Sequence, residues 1–138
     1  MSCGKKYACN RYLPVPVEGW EARDTVSIAI DPIRESGNYE FSVGVRSTRQ
    51  YPYQYLWILT DLELIHPDTL IVDTLVCSIT DAQGEFLGKG LSVYDNVYPL
   101  ATIYCKKGQY GRMKLRHIMR RDPLPGISDL GVSISRTL

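Results

Sequence analysis

The chain has 138 residues, and its 16 lysines and arginines against 15 acidic residues leave a formal net charge of +1. That length suits one domain rather than two, and the near-even balance gives no global pull toward nucleic acid or an anionic membrane. No apolar run reaches the roughly 20 residues of a spanning helix, so any membrane attachment is expected through a lipid.

The head, Met1-Ser2-Cys3-Gly4, has no hydrophobic periodicity. Cys3 directly follows a small residue, as an acylated cysteine does once a signal peptide is removed. Cys3 is therefore the expected lipid attachment; a cysteine without a role is the alternative. Tyr12 to Gly19, with Pro14 and Pro16, reads as an extended, proline-stiffened stretch. The predicted division is a tether over residues 1–19 and a folded domain over 20–138.

Strand signals follow. Val26, Ile28 and Ile30 alternate with small or polar residues until Asp31-Pro32. After a turn at Glu35-Ser36-Gly37-Asn38, Tyr39, Phe41, Val43 and Val45 alternate with Glu40, Ser42, Gly44 and Arg46, a clean period of two. Between Tyr55 and Leu64 the even positions Leu56, Ile58, Leu62 and Leu64 point one way, interrupted by Thr60, while Asp61 and Glu63 point the other. His66-Pro67-Asp68 turns the chain into Leu70 to Ile79, where Ile71, Leu75, Cys77 and Ile79 share a face that Asp73 interrupts. Asp81 to Gly90 is a glycine-punctuated loop, and shorter strands are predicted at Val97 to Cys105 and Leu130 to Ser135. Arg112 to Arg120 fits both a helical stripe and strand alternation; its Gly-Gln-Tyr-Gly lead-in favours strand. Ten tyrosines lean the composition the same way. The sum is an all-β fold, an antiparallel β-sandwich of about seven or eight short strands, Ig-like or jelly-roll-like.

Chemistry-bearing constellations are few. The four cysteines, Cys3, Cys9, Cys77 and Cys105, match no zinc spacing, and no metal site is expected. Cys77 and Cys105 read as buried free thiols or, alternatively, as an inter-strand disulfide. Gly84-Glu85-Phe86-Leu87-Gly88-Lys89-Gly90 has the wrong glycine spacing for a phosphate loop and no hydroxyl residue after Lys89. His66 lies in a turn, and His117 shares a face with Met113, Leu115 and Met119, which suits a satisfied core or rim histidine better than a general base. Neither an enzyme nor a cofactor is expected.

Two surface features remain. On a strand, Arg112, Lys114, Arg116 and Arg120 make an outward basic stripe, extended by Lys106, Lys107 and Arg121; it is a solvated face or a site for an acidic partner or lipid headgroup. Tyr51, Tyr53, Tyr55 and Trp57 are all odd-numbered, so an extended run aligns them as a contact surface, a sugar platform or core packing.

In order and spacing, Gly19-Trp20 with Asp24, Tyr51-Pro52-Tyr53-x-x-Leu56, Asp73-Thr74-Leu75, Asp81-x-x-Gly84-x-x-Leu87-Gly88-Lys89-Gly90, Gly108-x-Tyr110, Met119-Arg120 and Leu124-x-Gly126-Ile127-x-Asp129-x-Gly131 resemble the gliding-motility lipoprotein family GldH. The resemblance runs from about Tyr12 to the C-terminus. It places a lipidated cysteine some seventeen residues before the tryptophan of the Gly-Trp pair, the offset of Cys3 from Trp20. It implies a bacterial envelope lipoprotein, lipid-anchored at the periplasmic or outer-membrane face. Its expected partners are other envelope lipoproteins and motility or secretion machinery. No enzyme activity, cofactor or nucleic-acid partner follows from it. A surface carbohydrate-binding sandwich is the alternative function, and an exposed, coplanar Tyr51, Tyr53 and Trp57 is its signature.

Overall fold

The structure, a computed structural model, describes residues 7–137, so Cys3 lies outside the described residues. Eight strands follow one another: β1 (Tyr7–Pro14), β2 (Val26–Ile30), β3 (Gly37–Thr48), β4 (Tyr55–Ile65), β5 (Thr69–Ser78), β6 (Val93–Cys105), β7 (Tyr110–His117) and β8 (Ile127–Arg136). They form two four-stranded sheets, β1-β8-β3-β6 and β2-β7-β4-β5, with every ladder antiparallel. The first strand pairs with the last, the second with the seventh, the third with the sixth and the fourth with the fifth. That nesting is one long antiparallel hairpin wrapped into two layers, which is the jelly roll. The expected sandwich is present, and its jelly-roll form is the observed one.

Strand periodicity builds the core. Tyr39, Phe41, Val43 and Val45 of β3 and Leu130, Val132 and Ile134 of β8 face Ile28 and Ile30 of β2, Leu56, Ile58, Leu62 and Leu64 of β4, and Met113 and Leu115 of β7, all buried. The ambiguous Arg112 segment is strand, since Met113, Leu115 and His117 point inward together. Thr60, in the inward row of β4, is buried and donates its hydroxyl to the Asp73 carbonyl (2.8 Å).

The predicted tether is too long. Tyr7 to Pro14 is a strand paired along its length with β8, so the domain takes in residues assigned to the leader. Tyr12 holds it there. Its ring lies flat on the outer face across Gly131 of β8 and Gly44 of β3, where a Cβ on Gly131 would sit 2.6 Å from the ring. The Tyr12 hydroxyl donates to Asp95 of β6 (3.3 Å). The Arg46 guanidinium covers the ring at 3.9 Å from its centroid and pairs with Asp95 (3.6 Å) and Asp129 (3.7 Å). One side chain thus touches all four strands of its sheet.

Each open edge carries a device against pairing with another chain. β2 is only five residues long and ends before Pro32. β6 carries Pro99 beside a register shift opposite Phe41 and Ser42, a position where a missing amide costs nothing on an edge. β1 ends on Pro14, and β5 has Asp73 at an inward-parity position, its carboxylate accepting the Thr74 amide (2.8 Å).

Gly131→Ala is expected to destabilise the domain by about 1–3 kcal/mol through overpacking. If the ring is the obstacle, Tyr12→Ala combined with Gly131→Ala costs clearly less than the two single changes added together. Urea denaturation of the four proteins checks this, and additive costs would rule out the contact.

Candidate functional site

Four connections meet at the end of the sandwich opposite Tyr7: residues 15–25, 49–54, 79–92 and 118–126. Most of the segments that carry the family resemblance lie in them. Trp20 closes this end, fully buried and bridged to Leu124 by two backbone hydrogen bonds (2.8 and 2.9 Å). Its indole N–H donates to the Asp24 carbonyl (2.9 Å), which accounts for the Gly-Trp…Asp spacing through the backbone of Asp24. Its ring meets the His117 imidazole edge-on at 5.0 Å.

His117 is buried. Its Nδ1 accepts the Met119 amide (3.2 Å), so the proton of the neutral ring sits on Nε2 and is donated to the Trp20 carbonyl (2.8 Å). Both ring nitrogens are spent on backbone, and the structural role expected of this histidine is the one seen. The 79–92 loop is equally architectural. Asp81 Oδ1 accepts the amides of Gln83 (2.9 Å) and Glu85 (3.0 Å), and Gly84, Gly88 and Gly90 all have positive φ. Gly126, also at positive φ, lets the Tyr51 backbone approach; a Cβ there would lie 2.8 Å from the Tyr51 Cβ.

The aromatic row does not form as one unit. Tyr51 is 3 % exposed and donates its hydroxyl to the Tyr55 carbonyl (2.7 Å), because it precedes β4 in a turn that Pro52 prevents from continuing the strand alternation. Burial holds its phenol well above the ordinary tyrosine range. Tyr53 is exposed but meets Tyr51 edge-on, with the rings at 79°. Only Tyr55 and Trp57 lie on β4 itself, at 44 % and 45 % exposure on the outer face of the β2-β7-β4-β5 sheet.

The basic stripe forms only in part. Arg112, Lys114 and Arg116 alternate outward on β7, but the strand ends at His117, and Arg120 lies beyond it in a bend. The register also sets Asp61 opposite Lys114 and Glu63 opposite Arg112, while Arg116 faces Leu59. Arg112 donates to the Ser27 hydroxyl (2.7 Å). Leu59, Asp61, Lys114, Arg116 and Thr25 line a shallow depression of about 130 Å³. The same register brings Val76 opposite Trp57, and Val72 and Leu70 continue the row along β5, all exposed. The result is a mixed face, with charges of both signs on β7 and β4 beside an apolar strip on β4 and β5. The β5 part went unread in the sequence, although Leu70, Val72 and Val76 occupy the strand's second, outward parity and make it apolar on both faces.

Among the described residues, no group of three or more His, Cys, Asp or Glu side chains is placed to hold a metal ion. Cys9, Cys77 and Cys105 are free buried thiols, so the disulfide alternative is not realised. Cys9 lies within β1, buried, and cannot carry a lipid chain without leaving the sheet.

A comparison with protein-family models matches one described as GldH lipoprotein, over residues 8–134. The chain belongs to the GldH lipoprotein family. No curated protein matches the sequence. Membership makes this jelly roll the body of a GldH-like lipoprotein, attached to the cell envelope by lipid.

Burial pushes the thiol of Cys77 up to about 12 and that of Cys105 to about 11, and raises that of Cys9. A raised thiol favours the folded state while it stays protonated. Its contribution is therefore full below about pH 9 and is lost as pH rises toward 11–12. Thiol-disulfide titration at pH 8 is expected to leave these three thiols unreactive in the folded protein and fully reactive in guanidinium, with unfolding free energy falling from pH 9 upward. Rapid native reaction at Cys77 would contradict its burial.

Proposed function

We propose that this chain is a non-enzymatic assembly component of a gliding-motility or associated secretion apparatus. Lipid on Cys3 holds it at the periplasmic or outer-membrane face, and other envelope lipoproteins and machinery proteins dock on it. The observation that carries this reading is the outer face of the β2-β7-β4-β5 sheet. There an exposed aromatic and aliphatic strip (Tyr55, Trp57, Val72, Val76) lies beside Arg116 and the Lys114–Asp61 row on hydrogen-bonded strands. A tryptophan and an arginine on a rigid apolar surface are the residue types that dominate protein–protein hot spots. The carbohydrate-binding reading loses its main support, because the burial of Tyr51 removes the three-ring platform it needed.

The docking surface is the face rather than the β5 edge. Asp73 occupies the Thr74 amide, and pairing a new strand there means displacing that carboxylate.

Two outcomes are expected. Fatty-acid labelling of the full-length product disappears in Cys3→Ala and persists in Cys9→Ala; label retained by Cys3→Ala would sink the anchor assignment. In-cell cross-linking of the tagged lipoprotein recovers motility or secretion proteins. Trp57→Ala with Arg116→Glu lowers that recovery about tenfold or more while the melting temperature stays within about 3 °C, since neither side chain is buried. Undiminished recovery would move the partner off this face.

A further inference from the structure

We infer that the end of the sandwich where β1 begins is a lipid-headgroup surface, and that the domain stands on an anionic membrane on this end. The inference rests on the assignment of the lipid to Cys3. The pairing of Tyr7 with Ser135, Tyr39 with Arg136, Gly37 with Cys105, Ile65 with Tyr110 and Leu64 with Thr69 gathers one set of connections here. These are residues 31–36, 66–68 and 106–109.

This end is a built platform. Gln109, 1 % exposed, donates to the Pro67 carbonyl (2.7 Å) and accepts the Lys106 amide (3.0 Å). Backbone bonds join Ile33 to Gln109 (2.9 Å) and Gly108 to Ile33 (2.7 Å), and the Lys107 amide donates to the Ser36 hydroxyl (2.9 Å). The three connections therefore move as one.

Its charge is one-sided. Asp31 is paired with Arg11 (2.9 Å) and Glu35 with Arg136 (2.6 Å). Among the described residues, Arg34, Lys106 and Lys107 have no ion pair, against the single remaining loop carboxylate of Asp68; Glu40 and Glu63 lie further along their strands. Around the platform stand exposed Tyr104 (60 %), Leu70 (64 %) and Tyr110 (39 %). Tyrosine beside lysine is the chemistry of a membrane interface, where the ring sits among headgroups and the cation meets lipid phosphate.

Reach decides the orientation. Only Gly4, Lys5 and Lys6 separate Cys3 from Tyr7, a span of at most about 14 Å. The headgroup layer of one leaflet takes up roughly 5–8 Å of that. The leash leaves the platform within a few ångströms of the lipid phosphates, while strands of ten residues or more carry the opposite end roughly 35 Å away.

The test uses the acylated full chain in liposomes, with an environment-sensitive fluorophore on Lys107→Cys or on Gln83→Cys in the 79–92 loop. Bromine-labelled lipids are expected to quench the label at 107 several-fold more than the label at 83. Equal quenching, as in a domain lying on its side, or stronger quenching at 83 would overturn the orientation. Acylation is followed separately by mass spectrometry, so a protein carrying lipid on Cys3 but unquenched at 107 refutes the orientation alone, and one lacking lipid on Cys3 refutes the anchor. For the headgroup contact, full-chain Cys3→Ala is sedimented with phosphatidylglycerol or phosphatidylcholine vesicles. Binding is expected only to the former, and Lys106→Gln with Lys107→Gln lowers it about tenfold or more. Equal partition into both vesicle types, or binding unchanged by the lysine substitutions, overturns the lipid assignment.

Discussion

The pairing of β1 with β8 is the constraint on which the rest depends, because it fixes the place and direction in which the N-terminus leaves the domain. β1 is a poor strand on its own terms. Its inward residues are Cys9, Arg11 and Leu13, of which only Cys9 is buried, and Arg11 turns aside to Asp31. What holds it is the outer face, where Tyr12 covers two glycines and reaches the far edge strand through Asp95. Glycine in a strand interior is costly because it packs nothing, and an aromatic ring laid over it restores that packing. Gly44 and Gly131 therefore leave room for the ring that holds β1.

With β1 in place the two ends acquire different characters. At the end beside Tyr7, Gln109 ties three connections together through its side-chain amide. At the other, Trp20 and His117 close the core, with both imidazole nitrogens satisfied by backbone. Both arrangements resist a change of polarity, since the buried polar atoms of Gln109 and His117 are satisfied by nearby backbone and an orphaned one costs about 1–3 kcal/mol. The segments that resemble the GldH family mostly serve these closures. The glycines at 84, 88, 90 and 126 hold positive-φ turns, Asp81 caps its own loop, and Asp24 contributes a carbonyl. A family signature of this kind records how the jelly roll is closed, and the exposed side chains of Tyr55 and Trp57 on the sheet face stand outside it.

Legibility in the sequence followed burial on one face. β2, β3, β4 and β7 alternate because one side meets the core and the other water, and their inward residues are legible from that alternation; for β8 the sequence indicates the strand but not its faces, since Ser133 and Ser135 are buried as well as Leu130, Val132 and Ile134. β1 escaped because its stabilising residue points outward and its inner row is not apolar. The first residues of β6 escaped for a similar reason, since Tyr94, Asn96 and Tyr98 occupy the inward parity and the shift beside Pro99 breaks the period before Ile103. The aromatic row failed at Tyr51, where numbering parity was extended across a proline that ends the strand geometry. Arg120 failed because His117 captures the Met119 amide and stops β7. The basic stripe was visible, but its partners Asp61 and Glu63 come from a strand some fifty residues earlier, and only the register brings them together.

That register also bears on what the sheet face is for. A stripe of arginine and lysine alone attracts any polyanion, headgroups and nucleic acid included, with little selectivity. Here two of the three cations stand opposite carboxylates, so the long-range field of the face is weak while its short-range pattern is specific. Alternating charge beside an exposed tryptophan rewards a partner that matches it contact by contact, and an opposed like charge is costly to a wrong one. On the platform where β1 begins, Arg34, Lys106 and Lys107 stand, among the described residues, without an ion pair or a carboxylate set opposite them by register, next to two exposed tyrosines. The domain thus separates two kinds of recognition: a field that suits a diffuse anionic surface at the anchored end, and a patterned face that suits a protein along its side. The proposed upright stance would keep the second clear of the first.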